Sequence, residues 1–385
     1  MTDAVIVCAV RSPMGRANKG QFVHTRIDDL GAAVIRAALK RLPQLNKDEI
    51  EDVLIGCAMP EGEQGLNLAR NISFLAGIPF STGAATVNRF CGSSLETINM
   101  AAQAVWAGNG EVFVTGGAES MSHVPMGGFN PSLNPLLMKK EAPAAYIGMG
   151  QTAETLAKKW KVSREEQDRF SLGSHQKAIA AKRAGKLTEI VPVHAAQPDG
   201  TIKTADTDEG PREETSLEKL AQLKPAFLEN GTVTAGNSSP LTDGAAAVII
   251  MSAAKAKTLG TKPIAKIRAM AVGGVDPATM GEGPIVAVPK ALKRAGMKLS
   301  DVDLIEINEA FAAQTLSVMK ALEMDQAKLN VHGGAIALGH PLGCSGARIM
   351  ATLLTALRDR NKTIGLETLC IGGGQGIATV VELLN

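Results

Sequence analysis

Two thiols and one imidazole are the groups in this sequence best placed to do chemistry: Cys91, Cys370 and His340. Cys91 lies in Val87-Asn88-Arg89-Phe90-Cys91-Gly92-Ser93-Ser94-Leu95, where an extended run gives way to Leu95, Ile98, Asn99, Ala102 and Val105 at the i, i+3, i+4 spacing of a helix with one buried side. This predicts a thiol at or near a helix N-terminus, where unpaired N–H groups and the positive end of the macrodipole favour thiolate over thiol. A lone cysteine is more often a small buried hydrophobe. Gly92, Ser93 and Ser94 weigh against that here, because they leave room for a ligand to approach the backbone N–H groups. A cysteine nucleophile needs a base, and His340, in Gly339-His340-Pro341, is one of only six histidines. Taken alone, a histidine in a glycine-rich loop has a structural reading as well.

Cys370 stands at a strand end before Gly372-Gly373-Gly374, where a plain buried thiol is the default. Two thiols without a metal motif suggest one nucleophile and one general acid/base. Those glycines suit close backbone approach to a carbonyl oxygen, with the N–H of Gly372 joining that of Cys91 as oxyanion donors. They are not a dinucleotide loop, which needs a following helix and an acidic residue about 20 positions on. His332, His340 and Cys344 match no common zinc spacing, and no metal is expected.

The elements that must position these groups alternate between strand and helix. Ala4 to Val10 and Val53 to Gly56 read as strands, and Asp28 to Leu42 and Asn67 to Ala76 as helices. Cys91 then opens a helix, and Glu111 to Gly117 is a strand ending in paired glycines. This is an α/β pattern.

The pattern recurs in the second half. Ala38-Leu39-Lys40-Arg41 and Asp52-Val53-Leu54-Ile55 find counterparts in Ala291-Leu292-Lys293-Arg294 and Asp303-Leu304-Ile305-Glu306. Cys344-Ser345-Gly346-Ala347 matches the helix start at Cys91, and Thr368 to Gly373 matches the strand closing on Gly116-Gly117. Gly376 to Val381 resembles Gly244 to Ile249, far beyond Gly117, so the first copy is interrupted. The expected domains are therefore 1–117 with 244–265, an inserted loop domain 118–243, and 266–385. In open α/β sheets ligands bind beyond the C-terminal strand ends, where Asn308-Glu309, Gly116-Gly117 and Gly372-Gly373 all lie.

Composition narrows the function classes. A chain of 385 residues with 45% hydrophobic and 20% charged residues is globular, long for one core, and fits two or three domains. A net charge of +2 and 3% aromatic residues argue against a nucleic-acid partner. No run approaches the roughly 20 apolar residues of a membrane span, and the start, with Asp3 leading straight into a strand, leaves no space for a signal peptide. The expected location is the cytoplasm. Five scattered cysteines with no Cys-x-x-Cys pair fit separate thiols rather than a disulfide framework.

The motif residues resemble those of the thiolase family, specifically the degradative 3-ketoacyl-CoA thiolases (acetyl-CoA acyltransferases) of fatty-acid oxidation. The resemblance rests on Val87 to Ser94, on Asn308-Glu309-Ala310-Phe311-Ala312, on Gly333 to Pro341 and on Cys370 to Gly374, and it covers essentially the whole chain. It implies the thiolase fold, two similar α/β domains in an α-β-α-β-α layering with a loop domain inserted in the first. It further implies that Cys91 takes the acyl group, that His340 activates it and helps hold the thioester oxygen, and that Asn308 positions a water in that oxyanion hole. By the same likeness Cys370 is the general acid/base, and the N–H groups of Cys91 and Gly372 form a second oxyanion hole. Ser239 would meet the pantetheine arm, Arg212 the adenine end of CoA, and Met149, Met280 and Phe311 the acyl chain. CoA is a co-substrate, with no tightly bound cofactor. The implied partners are acyl-CoA and CoA, a second copy in a homodimer or homotetramer, and a multifunctional fatty-acid oxidation α-subunit.

Short-chain biosynthetic thiolases carry a histidine where this sequence has Gly148, which favours the degradative branch over the alternative of acetoacetyl-CoA formation. Two further alternatives are weaker. A decarboxylating condensing enzyme has no need of Cys370 as a base, and a non-catalytic acyl-CoA-binding subunit has no need of the intact set Cys91, Asn308, His340 and Cys370.

Overall fold

Ten of the twelve strands among the described residues join one large sheet. In a computed structural model, which describes residues 2–384, the strands are β1 Ala4–Arg11, β2 Gly15–Arg16, β3 Asp52–Gly56, β4 Gly83–Val87, β5 Val112–Ser120, β6 Val193–Ala196, β7 Ile202–Ala205, β8 Thr242–Ser252, β9 Ala265–Gly274, β10 Leu304–Ile307, β11 Ile364–Ile371 and β12 Gln375–Leu383. Met1 and Asn385, the outermost residues of the expected domains, lie outside the described residues. Strands β6 and β7 form a separate hairpin, and β2 pairs with β8 beside the main path.

Along the large sheet the order is β10-β11-β12-β9-β1-β8-β5-β3-β4, and the two ends mirror each other. In the first half β3 runs parallel to β5, which is antiparallel to β8, which is antiparallel to β1. In the second, β10 runs parallel to β11, which is antiparallel to β12, which is antiparallel to β9. The halves touch edge to edge through only Val5↔Lys266 and Ile6↔Ala265. Strand β4 has as its counterpart only the isolated parallel bridge Ile305↔Leu329.

Helices fill three layers around the two half-sheets. Ile27–Lys40 and Leu68–Leu75 pack with β1, β3, β5 and β8 over one apolar core. Gly283–Ala295 and Ala312–Leu322 cover the outer face of the second half. Between the half-sheets lie Ser93–Ala107 and Ser345–Asp359, which touch each other and share a leucine- and isoleucine-rich core. Their contact is close because it is made by residues without side chains. A Cβ on Gly346 would fall 2.3 Å from the Leu95 nitrogen, and at the neighbouring strand–helix contact one on Gly56 of β3 would fall 2.4 Å from the Ser94 nitrogen. The Ala347 N–H donates to Ser94 Oγ (2.9 Å) across the same seam. Among the described residues, no helix is long and apolar enough to cross a membrane.

Three expectations need correction. The helix after Cys91 starts at Ser93, and Cys91 sits before it in the tight turn Phe90–Gly92. The strand expected to end at Gly116-Gly117 runs through both glycines to Ser120, because β8 continues to pair with it. Finally, the glycine pairs are not equivalent. Strand register aligns Gly117, opposite Gly56, with Thr368, opposite Ile307, which in turn aligns Glu119 with Cys370. Likewise the turns Phe90–Gly92 and Leu342–Cys344 precede matching 15-residue helices, which sets Cys91 against Gly343 rather than Cys344. Sequence matching followed residue identity, whereas the fold repeats the position.

Candidate active site

Cys91 is held by a strained turn. Phe90 has φ +44°, a left-handed backbone that costs an aromatic residue roughly 1–2 kcal/mol. Its surroundings fix that conformation: the Phe90 N–H donates to Asn88 Oδ1 (2.9 Å), and the Ser93 hydroxyl donates to the Phe90 carbonyl (2.6 Å) while accepting the Arg89 N–H (2.9 Å). The turn points the Cys91 thiol inward, where 9% of the residue remains exposed, and leaves the Phe90 ring at the surface.

Two backbone N–H groups stand near enough to the Cys91 sulfur to favour its charged form, its own and that of Gly372, just past β11. These are the two donors expected of an oxyanion hole. Burial nevertheless pushes the thiol up to about 11, with the N–H groups pulling it only part of the way back. The thiolate expected from helix position alone is therefore not the resting form: Cys91 stands a turn before the helix, and burial outweighs the dipole.

Burial pushes Cys370, the next-to-last residue of β11, far above the usual thiol range, and Cys91 lies close enough to add to that shift. Its neighbours are apolar: Met280, Phe311, Val233, Ala153 and, at the edge, Met149. The three residues expected to wall an acyl site thus meet around this thiol. A T-shaped contact with Phe227, ring centroids 5.9 Å apart, orients Phe311. A Cβ on Gly372 would stand 3.6 Å from Met149 Sδ and 3.7 Å from Phe90 Cδ2.

The imidazole comes from the other side, on the loop that leads into the Ser345 helix. Ser345 Oγ donates its one proton to the Pro341 carbonyl (2.9 Å), so His340 Nδ1 carries a proton and donates it to Ser345 Oγ (2.5 Å). That leaves Nε2 unprotonated, facing Asn308 Nδ2 at 3.2 Å. Burial, with the Arg348 guanidinium adding to it, pushes His340 down to about 3, so the ring is neutral near pH 7. Asn308 follows β10, and its N–H donates to the Thr368 carbonyl of β11 (3.0 Å), two residues from Cys370. Its Oδ1 is buried with no hydrogen-bond partner in the chain, as suits an oxygen that holds a water. Leu342, two residues past His340, packs with Cys91, Ala58, Met59 and Met121, which brings the imidazole loop against the nucleophile turn.

Ser239 and Arg212 sit farther out. Ser239 donates both its N–H (3.0 Å) and its hydroxyl (3.1 Å) to the Ala310 carbonyl, and Ser238 bridges to Phe311, so this loop borders the Asn308 segment. Arg212 is exposed and is not brought to the thiols. It lines a hollow with Arg16, His175, Gly236 and Ser238, and its N–H donates to His175 Nδ1 (3.2 Å). Loss of solvent and the nearby Arg16 charge lower its hold on its proton. His332 pairs with Asp359 (3.2 Å), away from His340.

Sequence reasoning gave no role to three buried residues of this centre. Glu309 accepts from Ser174 Oγ (2.6 Å), Asn330 Nδ2 (2.7 Å) and the Ile336 N–H (3.2 Å), clamping the Asn308 segment to the loop that carries His340. Ser345 sets the imidazole tautomer, and Glu119 spans two loops beside Cys91. A carboxylate inside an otherwise apolar, glycine-containing run was the available signal for Glu119, and one between the end of an apolar strand and Ala310-Phe311-Ala312 was the signal for Glu309.

With this geometry in view, comparison with known proteins is decisive. The chain matches the thiolase N-terminal domain over residues 4–254 and the thiolase C-terminal domain over residues 261–383. The chain belongs to the thiolase family. It is 52% identical over 386 residues to a 3-ketoacyl-CoA thiolase of Marinobacter nauticus, covering 99% of this chain and 98% of that one. It is 49% identical over 392 residues to a 3-ketoacyl-CoA thiolase of Bacillus subtilis, covering 100% of both. The crystal structure of the Bacillus anthracis acetyl-CoA acetyltransferase superposes with a TM-score of 0.92 at 39% identity, covering 100% of this chain and 99% of that one. The layered arrangement of two repeated halves is accordingly the thiolase fold, and this thiolase is an acyltransferase.

Proposed function

We propose that this thiolase cleaves 3-ketoacyl-CoA with free CoA, yielding acetyl-CoA and a shortened acyl-CoA through an acyl-Cys91 intermediate. The observation that carries the reading is a pair of buried thiols, Cys91 and Cys370, within electrostatic reach of each other, with the N–H groups of Cys91 and Gly372 beside the Cys91 sulfur. Full-length identity of about half to 3-ketoacyl-CoA thiolases supports the choice of substrate.

His340 Nε2 takes the Cys91 proton, and the thiolate attacks the 3-keto carbon, whose oxygen becomes an oxyanion. When that oxyanion collapses, the C2–C3 bond breaks, the acyl group stays on Cys91, and the bond's electron pair leaves as the acetyl-CoA enolate, which Cys370 protonates at C2. Cys370 then draws the proton from an incoming CoA thiol. That thiolate attacks the acyl-cysteine carbonyl and releases the shortened acyl-CoA, and Cys91 recovers its proton from His340. In the resting protein both His340 and Cys91 are neutral, so substrate binding must make the proton transfer favourable, with the N–H donors and an Asn308-held water meeting the charge that forms.

Ser239 contacts the pantetheine arm and Arg212 the adenine end, with Met149, Met280 and Phe311 against the acyl chain. CoA enters as a co-substrate. The enzyme works in the cytoplasm as a homodimer or homotetramer, alone or with a multifunctional fatty-acid oxidation α-subunit. Its domains divide at 1–117 with 244–265, 118–243 and 266–385, the middle one carrying the CoA-binding surface. A second reading, synthesis of acetoacetyl-CoA from two acetyl-CoA, is favoured by the likeness to the acetyl-CoA acetyltransferase of Bacillus anthracis. Gly148, where the biosynthetic pattern has histidine, speaks for cleavage. Thiolysis of 3-ketoacyl-CoAs of graded length, measured against acetoacetyl-CoA synthesis on the same protein, decides between them. Faster synthesis than cleavage at every chain length overturns the first reading.

A further inference from the structure

The internal repeat contains the frame of the reactive centre twice, and a carboxylate fills the second copy. Strand register places Glu119 where Cys370 stands and Cys57 where Asn308 stands, and counting back from the two matching helix starts sets Gly343 against Cys91 and Asn88 against His340. The second set is assembled as tightly as the first. Glu119 accepts from the Ala58 N–H (2.6 Å), the Gly343 N–H (2.8 Å), the Met59 N–H (3.1 Å) and Gln64 Nε2 (3.1 Å), and the Cys57 thiol lies 3.7 Å from Oε1. Asn88 Nδ2 donates to the Ala58 carbonyl (3.0 Å). A Cβ on Gly343 would fall 2.6 Å from Glu119 Oε2, so no side chain fits where the nucleophile would be.

Every close polar neighbour of this carboxylate is a donor. The Gly343 N–H, the positional counterpart of the Cys91 N–H in the oxyanion hole, is already spent on it. We propose that Glu119 is an internal oxyanion: it fills the repeat's second oxyanion hole and thereby fixes the two loops, Ala58-Met59 and Leu342–Cys344, that flank Cys91. Ala58, Met59 and Leu342 all pack on Cys91, and His340 stands two residues before Leu342. Glu119 is thus a positioning residue for both nucleophile and base. Burial alone pushes it above the ordinary carboxylate range, and the N–H donors hold it back. Its charge also raises the cost of ionising Cys91.

The inference rests on the proposed function only in taking Cys91 as the nucleophile. Two variants test it. Glu119→Ala vacates the hole and should lose thiolysis by on the order of a hundredfold, the scale of a misplaced nucleophile and base. Added formate, a carboxylate small enough for the vacancy, should restore at least about tenfold of that loss, and equal chloride should not. Glu119→Gln keeps the shape and removes the charge. Its Cys91 should react with iodoacetamide along a pH curve displaced to lower pH by about half a unit or more. An alkylation curve that does not move overturns the inference, whether or not Glu119→Ala folds, and so does a folded Glu119→Ala that formate leaves unchanged. If the parent forms no acyl-Cys91 while the Gln curve still shifts, the proposed function fails and the placement of Glu119 stands.

Discussion

The two walls of the cleft are built from opposite materials. On one, Asn308, His340 and Ser345 form a chain of hydrogen bonds in which each proton has an address, ending at the Pro341 carbonyl. On the other, Cys370 lies among Met280, Phe311, Val233 and Met149, with hardly a polar partner to stabilise its charged form. Burial makes both groups neutral, pushing the imidazole down and the thiol up. The difference lies in what each can then do. A ring locked in one tautomer accepts a proton at a fixed atom, which suits a heteroatom nucleophile that must be deprotonated on demand. A thiol in an apolar pocket meets a carbanion there without competing water, which suits a carbon acid. Under the proposed function, activation of Cys91 falls to the polar wall and C2 chemistry to the apolar one.

Removing the atom that both walls serve should have the largest effect. Cys91→Ser should lower thiolysis by roughly ten-thousandfold or more, since a serine alkoxide forms far less readily than a thiolate. Mass spectrometry of the parent after incubation with acyl-CoA should find the adduct on Cys91, and an adduct only on Cys8, Cys57, Cys344 or Cys370 would end the assignment. The walls themselves separate next. Cys370→Ser should cut exchange of the acetyl-CoA C2 protons with deuterated solvent by about a hundredfold while acyl transfer falls less. His340→Ala should slow both half-reactions by about a hundredfold. If the two variants lose the two reactions in equal proportion, the walls do not divide the work.

The pH dependence sharpens the polar wall. Because burial holds the Cys91 thiol near 11, the thiolate fraction grows as pH rises toward that value and vanishes below it. Alkylation of the free enzyme by iodoacetamide should therefore keep climbing above pH 9. His340, held near 3, should add no step near the ordinary histidine value. A plateau reached by pH 7 would mean that the resting pair is ionic and that the neutral assignment fails.

Much of this was legible in the residues. Glycine-rich turns marked Cys91, His340 and Cys370, a strand end marked Asn308, and matched blocks disclosed the repeat, because packing and turn chemistry are local. What escaped depends on register. Gly116-Gly117 looks like Gly372-Gly373, yet strand pairing aligns Glu119 with Cys370, and only hydrogen bonds across a sheet fix such a shift. Strand β9 escaped because Arg268 sits among its apolar residues and its partners, β12 and β1, are distant in sequence. The depressed basicity of His340 and the raised Cys91 thiol also escaped, since burial is a property of the assembled halves.

The smallest expected effect tests the chain of protons at its far end. Ser345 touches neither thiol; it accepts from His340 Nδ1 and passes its own proton to Pro341. Ser345→Ala deletes both hydrogen bonds of this hydroxyl, about 1 kcal/mol each, and leaves the ring free to tilt or change tautomer, for a loss of roughly five- to tenfold in acyl transfer. The loss should appear in kcat rather than KM, because no substrate contact is removed. Ser345→Thr keeps the hydroxyl and should recover most of the rate if the helix start accepts the extra methyl group. C2 exchange, which belongs to the apolar wall, should change less than acyl transfer in the same variant. If exchange falls as far as transfer, Ser345 supports the whole cleft, and the separation of the two walls is lost at the point where it is most finely drawn.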